Sequence, residues 1–166
     1  MKKLFAISLF LFVLLSACGG GGGSDLSTVR IGWAGSPDTL NPGMAVLSEA
    51  YTIVELVYDS MYELNLDGTF SLTLAESVTI SDDGLVWTYK INDDVNFHDG
   101  EPLTAEDVVY SYDLYTYTED YPWMSGYCAY FESVVATENN EVVITLTDPI
   151  PNLDSQISQG KFDDLL

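Results

Sequence analysis

One β-hairpin signal constrains the fold of this chain more than any other feature of its sequence. Residues 81–84 contain Asp-Gly, a dipeptide that favours a tight reversal, between apolar stretches at 78–80 and 86–91. In the second stretch every other residue is bulky, at Trp87, Tyr89 and Ile91. Because successive side chains of a strand point to opposite faces, the sequence predicts two paired strands with one buried face.

Two other stretches have the spacing of amphipathic helices. From Ser48 onward, apolar residues recur at helical spacing, at Ile53, Leu56, Val57 and Met61. Thr104 and Asp107 are spaced nearly as in a capping box, which predicts a helix with an inner stripe of Val108, Val109, Tyr112 and Tyr115. With further strands predicted at 28–33, 134–136 and 141–146, the chain is expected to be a mixed α/β protein. We assign to its core the residues Trp87, Tyr89, Tyr110 and Tyr112.

The charge of the chain excludes whole classes of partner. Its 166 residues include 5 Lys and Arg against 26 Asp and Glu, a net charge of −21. A nucleic-acid partner is excluded because phosphate binding needs a basic surface, and docking onto anionic lipid is disfavoured for the same reason. The chain is nevertheless 47% hydrophobic, which is ample for a folded core.

The N-terminus has the pattern of a secretory signal. Lys2 and Lys3 precede an apolar run at residues 4–15. Twelve residues make about 18 Å of helix, too short for a hydrocarbon core of about 30 Å. We therefore predict that residues 1–17 are a signal peptide.

The end of the apolar run resembles a bacterial lipobox. It reads Leu15-Ser16-Ala17-Cys18, a motif in which the cysteine sulfur receives a diacylglyceryl group and the signal is cut just before it. The resemblance implies a lipid anchor on Cys18 and a tether at residues 18–27, rich in Gly and Ser. The alternative is an ordinary signal peptide with an incidental cysteine. Acylation would leave Cys128 as a lone thiol, which we expect to be buried.

A longer resemblance runs from residue 28 to residue 153. Residues 74–77, 81–91 and 95–112 read LAES, SDDGLVWTYKI and VNFHDGEPLTAEDVVYSY. In order and spacing they resemble the family 5 extracellular solute-binding proteins, the peptide, nickel and oligosaccharide receptors of ABC importers. Residues 38–42 (DTLNP), 58–63 (YDSMYE) and 144–149 (ITLTDP) are similar to the same family.

The resemblance implies an α/β, class II periplasmic-binding-protein-like fold, represented here by the first lobe with its extra subdomain. Residues 28–153 would be part of that lobe and 154–166 a truncated crossover, because family members continue into a second lobe. We therefore expect a fragment, from either a truncated gene or an incomplete sequence, which alone is not stabilised by peptides. The alternative is a genuine short protein.

The implied function is that of a substrate-binding lipoprotein of an ABC importer. It would bind peptides or another small solute and deliver them to a membrane permease from the periplasmic or cell-surface face of the cell membrane. It would be no enzyme and need no cofactor. A non-transport surface lipoprotein acting in adhesion or signalling is the alternative, and a hydrolase lacks any supporting motif.

The resemblance also suggests ligand contacts. The stretch after the Leu-Asn-Pro turn runs along the family's cleft, which makes Val46, Ser48 and Glu49 candidate substrate-binding residues. Glu49 could accept a charge-assisted hydrogen bond from a peptide α-amino group. The competing interpretation is a solvated loop and helix start. Trp123 lies where the family can place an aromatic contact, although a core position is the competing interpretation.

Metal and catalytic chemistry find little support in the sequence. His98 is the only histidine, and both zinc and acid–base chemistry normally need partners, so a structural role in a turn is expected. The acidic stretch from Asp94 fails as an EF-hand because Asp99 stands at its glycine position and Ala105 at its final glutamate position. No metal site is predicted.

Overall fold

The structure, a computed structural model, describes residues 28–119, 121 and 124–158. The chain divides into two compact units, Met1–Ala34 and Gly35–Leu166. In the first unit, the described residues 28–34 form neither helix nor strand, and Val29 and Ile31 are 83% and 64% exposed. The predicted strand at 28–33 is therefore wrong for this structure. Its β-branched residues supply propensity, but propensity alone does not make a strand without pairing and packing.

The second unit contains four helices and six strands within the described residues. In chain order they are α1 (Ser48–Glu55), β1 (Tyr62–Leu64), β2 (Phe70–Leu72), β3 (Ala75–Ile80), β4 (Val86–Ile91), α2 (Ala105–Tyr117), α3 (Met124–Tyr127), β5 (Phe131–Thr137), β6 (Glu141–Leu146) and α4 (Leu153–Ser158). The mixture of helices and strands agrees with the α/β prediction.

Two antiparallel sheets organise this unit. Strands β1 and β2 form a small hairpin, and the other four form a sheet in the order β3-β4-β6-β5. The predicted Asp-Gly turn joins β3 to β4. Asp83 accepts hydrogen bonds from the Ser81 hydroxyl at 2.6 Å and the Leu85 N–H at 3.1 Å, which lower the pKa of its carboxyl group. Gly84 has a φ of 72°, a conformation that favours glycine.

Each outer strand of the four-stranded sheet contains a bulge. The register of β3 against β4 shifts between Ala75 and Ser77, and that of β5 against β6 shifts between Phe131 and Ser133. The residues inside these bulges are Glu76 and Glu132, both exposed.

The core lies on one face of the two central strands. Both β4 and β6 alternate between buried and partly buried residues along their whole length. Trp87 pairs with Ile144 across the ladder and Tyr89 with Val142, and all four side chains are buried. The buried face predicted for the second strand of the hairpin is confirmed.

Several tyrosine side chains contribute to this core. The ring of Tyr62 meets that of Tyr89 edge-on at 6.0 Å, and the two hydroxyls lie 3.4 Å apart. Tyr112 packs edge-on against Phe131 at 5.5 Å. Burial raises the pKa of Tyr89 and of Tyr112 far above the ordinary tyrosine value. Tyr110, which we assigned to the core, is 67% exposed because it lies two positions from Val108, on the opposite side of the helix.

The predicted helix starts are confirmed, and one predicted stripe is wrong. At the start of α2, the backbone N–H and the hydroxyl of Thr104 both donate to Asp107 Oδ2, at 2.9 and 2.7 Å. Helix α1 begins at Ser48 as expected but ends at Glu55, and Leu56 and Val57 are 65% and 47% exposed. Its buried residues are instead Ala50, Tyr51 and Val54. Periodicity indicates which residues share a face but not where the helix stops.

Asn140 joins the tip of the last hairpin to the start of helix α2. Its backbone has a φ of 58°, and its side-chain Oδ1 accepts the N–H of Ala105 at 2.7 Å. Its Nδ2 donates to Asp93 at 3.2 Å. Since the first N–H groups of a helix lack partners within the helix, this side chain caps α2 from 35 residues away.

Two substitutions of Asn140 distinguish the stability that its capping bonds contribute from the cost of its positive φ. We expect Asn140→Gly to lower the free energy of unfolding by about 1 kcal/mol, through the lost cap. We expect Asn140→Ala to lose a further ~1 kcal/mol, because alanine tolerates positive φ poorly. Urea denaturation measures both, with Asn139→Ala as the control at a neighbouring exposed position. An alanine variant as stable as the glycine variant would show that the positive φ at residue 140 costs no stability.

Candidate functional site

The candidate ligand segment is residues 46–49, and a compact turn positions it. The carbonyl of Asn41 accepts the N–H groups of Met44 and Ala45, both at 3.1 Å, and its Oδ1 accepts the N–H of Gly43 at 3.0 Å. The Tyr51 hydroxyl, on α1, donates to the carbonyl of Ala45 at 2.7 Å. The turn is thus fixed from within and from the helix that follows it.

Asp38 holds the beginning of the ligand segment. Its Oδ2 accepts the N–H of Val46 at 2.9 Å. Desolvation acts to raise the pKa of this carboxyl group, but hydrogen bonds from backbone N–H groups, that of Val46 foremost, outweigh it and lower the pKa. Asp38 is therefore an ionised acceptor at neutral pH, and it anchors the segment through its backbone.

The structure brings three of the predicted contact residues together. Val46 is 55% exposed, Ser48 is exposed and Glu49 is partly exposed, at the start of α1. The Ser48 hydroxyl donates to Glu49 Oε2 at 3.3 Å. The Glu49 carboxylate also lies over Gly35, since an added Cβ there would be 2.9 Å from Glu49 Oε1. The segment therefore presents an apolar side chain, a hydroxyl and a carboxylate side by side.

The remaining predicted site residues are not described. Trp123 and the lipidation site Cys18 both lie outside the described residues.

Tyr121, two positions before Trp123, is described, and it contacts the turn. Its ring lies so close to the backbone of buried Gly43 that a Cβ at residue 43 would be 2.4 Å from Tyr121 Cε2. Asn41 Nδ2 donates to the Tyr121 hydroxyl at 3.2 Å. Sequence reasoning missed this contact, because nothing local marks it.

A cavity of about 750 Å³ lies beside the turn. Leu40, Asn41 and Tyr121 line one part of it, and its walls are mostly apolar and aromatic, including Tyr112, Tyr115, Phe97 and Phe131. Residues 40–58 also leave an unusual number of large apolar side chains exposed, namely Leu40, Met44, Val46, Leu47, Leu56, Val57 and Tyr58. Exposed apolar surface of this kind is typical of a binding site or of an interface.

The geometry of the described residues gives no support for a catalytic or metal site. His98 lies in the turn closed by the Gly100 N–H and the Phe97 carbonyl, at 2.9 Å, as expected. Within the part of the chain that the structure describes, no three His, Cys, Asp or Glu side chains are grouped to hold a metal ion. Cys128 is buried, as predicted, and burial raises the pKa of its thiol against the opposing effect of a hydrogen bond with the Thr116 side chain. Among the described helices, none is long and apolar enough to cross a bilayer.

Comparison with known proteins gives a consistent picture. The family model "Bacterial extracellular solute-binding proteins, family 5 Middle" matches residues 69–164. The oligopeptide-binding protein OppA of Bacillus subtilis is 30% identical over 125 residues, which are 68% of this chain and 23% of the relative. The probable peptide-binding protein YejA of Agrobacterium fabrum is 39% identical over 89 residues, 52% of this chain and 14% of the relative.

A solved structure agrees with these relatives. MoaA of Agrobacterium tumefaciens R10, a solute-binding protein in complex with mannopinic acid, is 31% identical with a TM-score of 0.65. The match covers 74% of this chain and 26% of that one. The architecture is that of part of a class II periplasmic binding protein, as predicted. The chain thus spans about a quarter of the length of OppA and of MoaA.

Proposed function

Since the chain belongs to the family 5 bacterial extracellular solute-binding proteins, we propose that the whole protein is the substrate-binding component of an ABC importer, with peptides as its first candidate substrates. The observation that carries the proposal is the family match over residues 69–164. Two named relatives that support peptides are an oligopeptide-binding and a probable peptide-binding protein, while MoaA was solved with mannopinic acid.

The ligand segment has the chemistry that a peptide N-terminus requires. Glu49 would accept a charge-assisted hydrogen bond from the α-amino group, with Ser48 beside it and Val46 against an apolar side chain. Arg30 and Lys90 are the only lysine or arginine residues among the described positions, so few cationic side chains compete for Glu49. Trp123 would add an aromatic contact.

Binding would act through closure of the cleft. Contacts from a second lobe would meet the ligand segment from the other side, so that a bound peptide favours the closed state. The closed form would then deliver the peptide to permease subunits in the membrane. In this family the protein is a receptor, so we propose no enzymatic activity.

The proposed location is the extracytoplasmic face of the cell membrane. Residues 1–17 would be removed as a signal peptide and Cys18 would carry the lipid, leaving residues 18–27 as the tether and 28–153 as part of the first lobe. Loss of Lys2 and Lys3 would change the net charge from −21 to −23. Electrostatic attraction to anionic lipid would then contribute nothing, and the acyl chains alone would hold the protein.

Alanine peptides of two to five residues test the proposal directly. The whole protein, as the organism encodes it, should be stabilised in thermal unfolding by about 2.7 kcal/mol at a peptide concentration 100 times the dissociation constant. No stabilisation by these or by mixed-sequence peptides would contradict a peptide receptor.

The role of Glu49 has a separate test. We expect Glu49→Gln to weaken the binding of trialanine by about tenfold, which corresponds to about 1.4 kcal/mol, because the α-amino group loses its ionic partner. N-acetylated trialanine, measured by calorimetry, should bind the two proteins equally. Glu63→Gln is a matched control, because Glu63 is exposed on β1. Equal affinity of both proteins for unmodified trialanine would remove Glu49 from the site.

A further inference from the structure

We propose that Tyr121 is a positioning residue that locks the ligand segment to helix α2 through its contact with Gly43. The proposal rests on the function proposed above, because it concerns the placement of residues 46–49. It assigns a role to a side chain that neither the sequence pattern nor the comparisons single out.

A side chain at position 43 would clash with the ring of Tyr121. A Cβ on Gly43 would lie 2.4, 2.5 and 2.7 Å from Cε2, Cδ2 and Cζ of Tyr121, far inside van der Waals contact. The nearest atoms belong to a rigid aromatic ring, which cannot yield by rotating an end group. A side chain at residue 43 would therefore push the ring and the turn apart.

Asn41 reinforces the contact from the other side of the turn. Its Nδ2 donates to the Tyr121 hydroxyl at 3.2 Å, and its Oδ1 accepts the N–H of Gly43 at 3.0 Å. One side chain thus shapes the turn and holds the tyrosine. Tyr121 therefore contacts the turn in two ways, through its ring at Gly43 and through its hydroxyl at Asn41.

On its other side, Tyr121 contacts the end of helix α2. Its N–H donates to the carbonyl of Thr118, directly after the helix, at 3.0 Å. Its ring lies 6.3 Å from that of Tyr115 and packs, like Tyr115, against buried Ala45, Ala50 and Tyr51. Movement of the turn relative to α2 would have to break this cluster.

The contact of Tyr121 with Gly43 and Asn41 is thus one joint between the ligand segment and the end of helix α2. The ligand segment starts three residues after Gly43. Fixing Gly43 against Tyr121 therefore fixes the starting point of that segment, and with it the placement of Glu49 relative to α2.

Amide hydrogen exchange tests the joint without any peptide. In Tyr121→Ala we expect the amides of Met44, Ala45 and Val46 to exchange at least tenfold faster, with the amides of β4 and β6 unchanged. Tyr121→Phe keeps the ring over Gly43 and loses only the bond from Asn41, so it should stay within about threefold of the parent protein. Unchanged exchange in Tyr121→Ala would overturn the proposal.

A double substitution shows whether the two residues act through each other. Gly43→Ala should accelerate exchange of the same amides, but Gly43→Ala in a Tyr121→Ala background should add almost nothing, because the ring that it clashes with is gone. Fully additive effects would overturn the proposed contact, whatever their size.

Trialanine affinity distinguishes positioning from a merely structural role. Tyr121→Ala should weaken trialanine binding at least tenfold, and Tyr121→Phe should bind trialanine as the parent protein does. Unchanged exchange of the β4 and β6 amides shows that each variant keeps its global stability. Unchanged affinity alongside faster exchange would overturn the positioning role. If the parent protein binds no peptide, the proposed function fails, whereas the exchange rates still decide whether the joint exists.

Discussion

Replacement of Cys18 by serine is expected to transfer nearly all of the protein from the membrane fraction to the soluble fraction. Residues 4–15 are too short to span a bilayer, and no described helix could cross one. The acidic charge gives no electrostatic attraction to anionic lipid. The acyl chains on Cys18, with about 0.8 kcal/mol for each buried CH₂ group, would be the whole anchor, so their loss should be close to complete.

Fractionation with a carbonate wash and metabolic labelling with a palmitate analogue measure this together. Cys128→Ser is the matched control, because it removes the other cysteine and leaves the lipobox intact. It should keep both the acyl label and the membrane location. A Cys18→Ser protein that retains either the label or its place in the washed pellet would contradict the lipoprotein assignment.

A second large effect is expected at alkaline pH, where the folded protein should lose stability steeply. Burial raises the pKa of Tyr89 and Tyr112 in the folded state, whereas both titrate near 10 in the unfolded chain. Their contribution to stability is thus fully present below the unfolded pKa. It is lost as the pH rises above that value, because only the unfolded state then releases the two protons.

The size of this loss follows from linkage. Each tyrosine kept neutral contributes a slope of about 1.4 kcal/mol per pH unit, so two give about 2.7 kcal/mol per unit well above pH 10. A domain stability of about 5–15 kcal/mol would be exhausted within a few pH units. Urea unfolding at a series of alkaline pH values, followed by tyrosinate absorbance, measures the slope.

Tyr89→Phe is the informative variant for the alkaline transition. It keeps the ring in the core and removes one titrating group. The slope of unfolding free energy against pH should therefore fall by about 1.4 kcal/mol per pH unit, the contribution of one proton. A Tyr89→Phe slope equal to that of the parent protein would show that Tyr89 ionises while folded.

Local rules predicted the parts of the fold that depend on neighbours in sequence. The Asp-Gly turn, the alternation of Trp87, Tyr89 and Ile91, and the start of α2 at Thr104 all follow from contacts within a few residues. Propensity failed at residues 28–33, where a strand needs a partner that the sequence does not name. The assignment of Tyr110 to the core was wrong because this residue faces outward from the helix.

The candidate site was less predictable because it is assembled from distant residues. Residues 46–49 were proposed from a family resemblance, and the structure places Val46, Ser48 and Glu49 on one accessible segment without showing what they bind. The bond from Asn41 to Tyr121 spans 80 positions, and no periodicity or turn signal connects the two. Tertiary packing alone places the tyrosine over Gly43.

The two bulges in the four-stranded sheet affect edge-to-edge pairing between copies of this protein. Strands β3 and β5 are the outer strands among those described, and an outer strand offers unpaired backbone groups to any strand that approaches. Glu76 and Glu132 place a negative charge inside the irregularity of each. A second copy laying its own edge alongside would meet both a broken hydrogen-bonding repeat and a like charge. Both features disfavour edge-to-edge pairing at the borders of the described sheet.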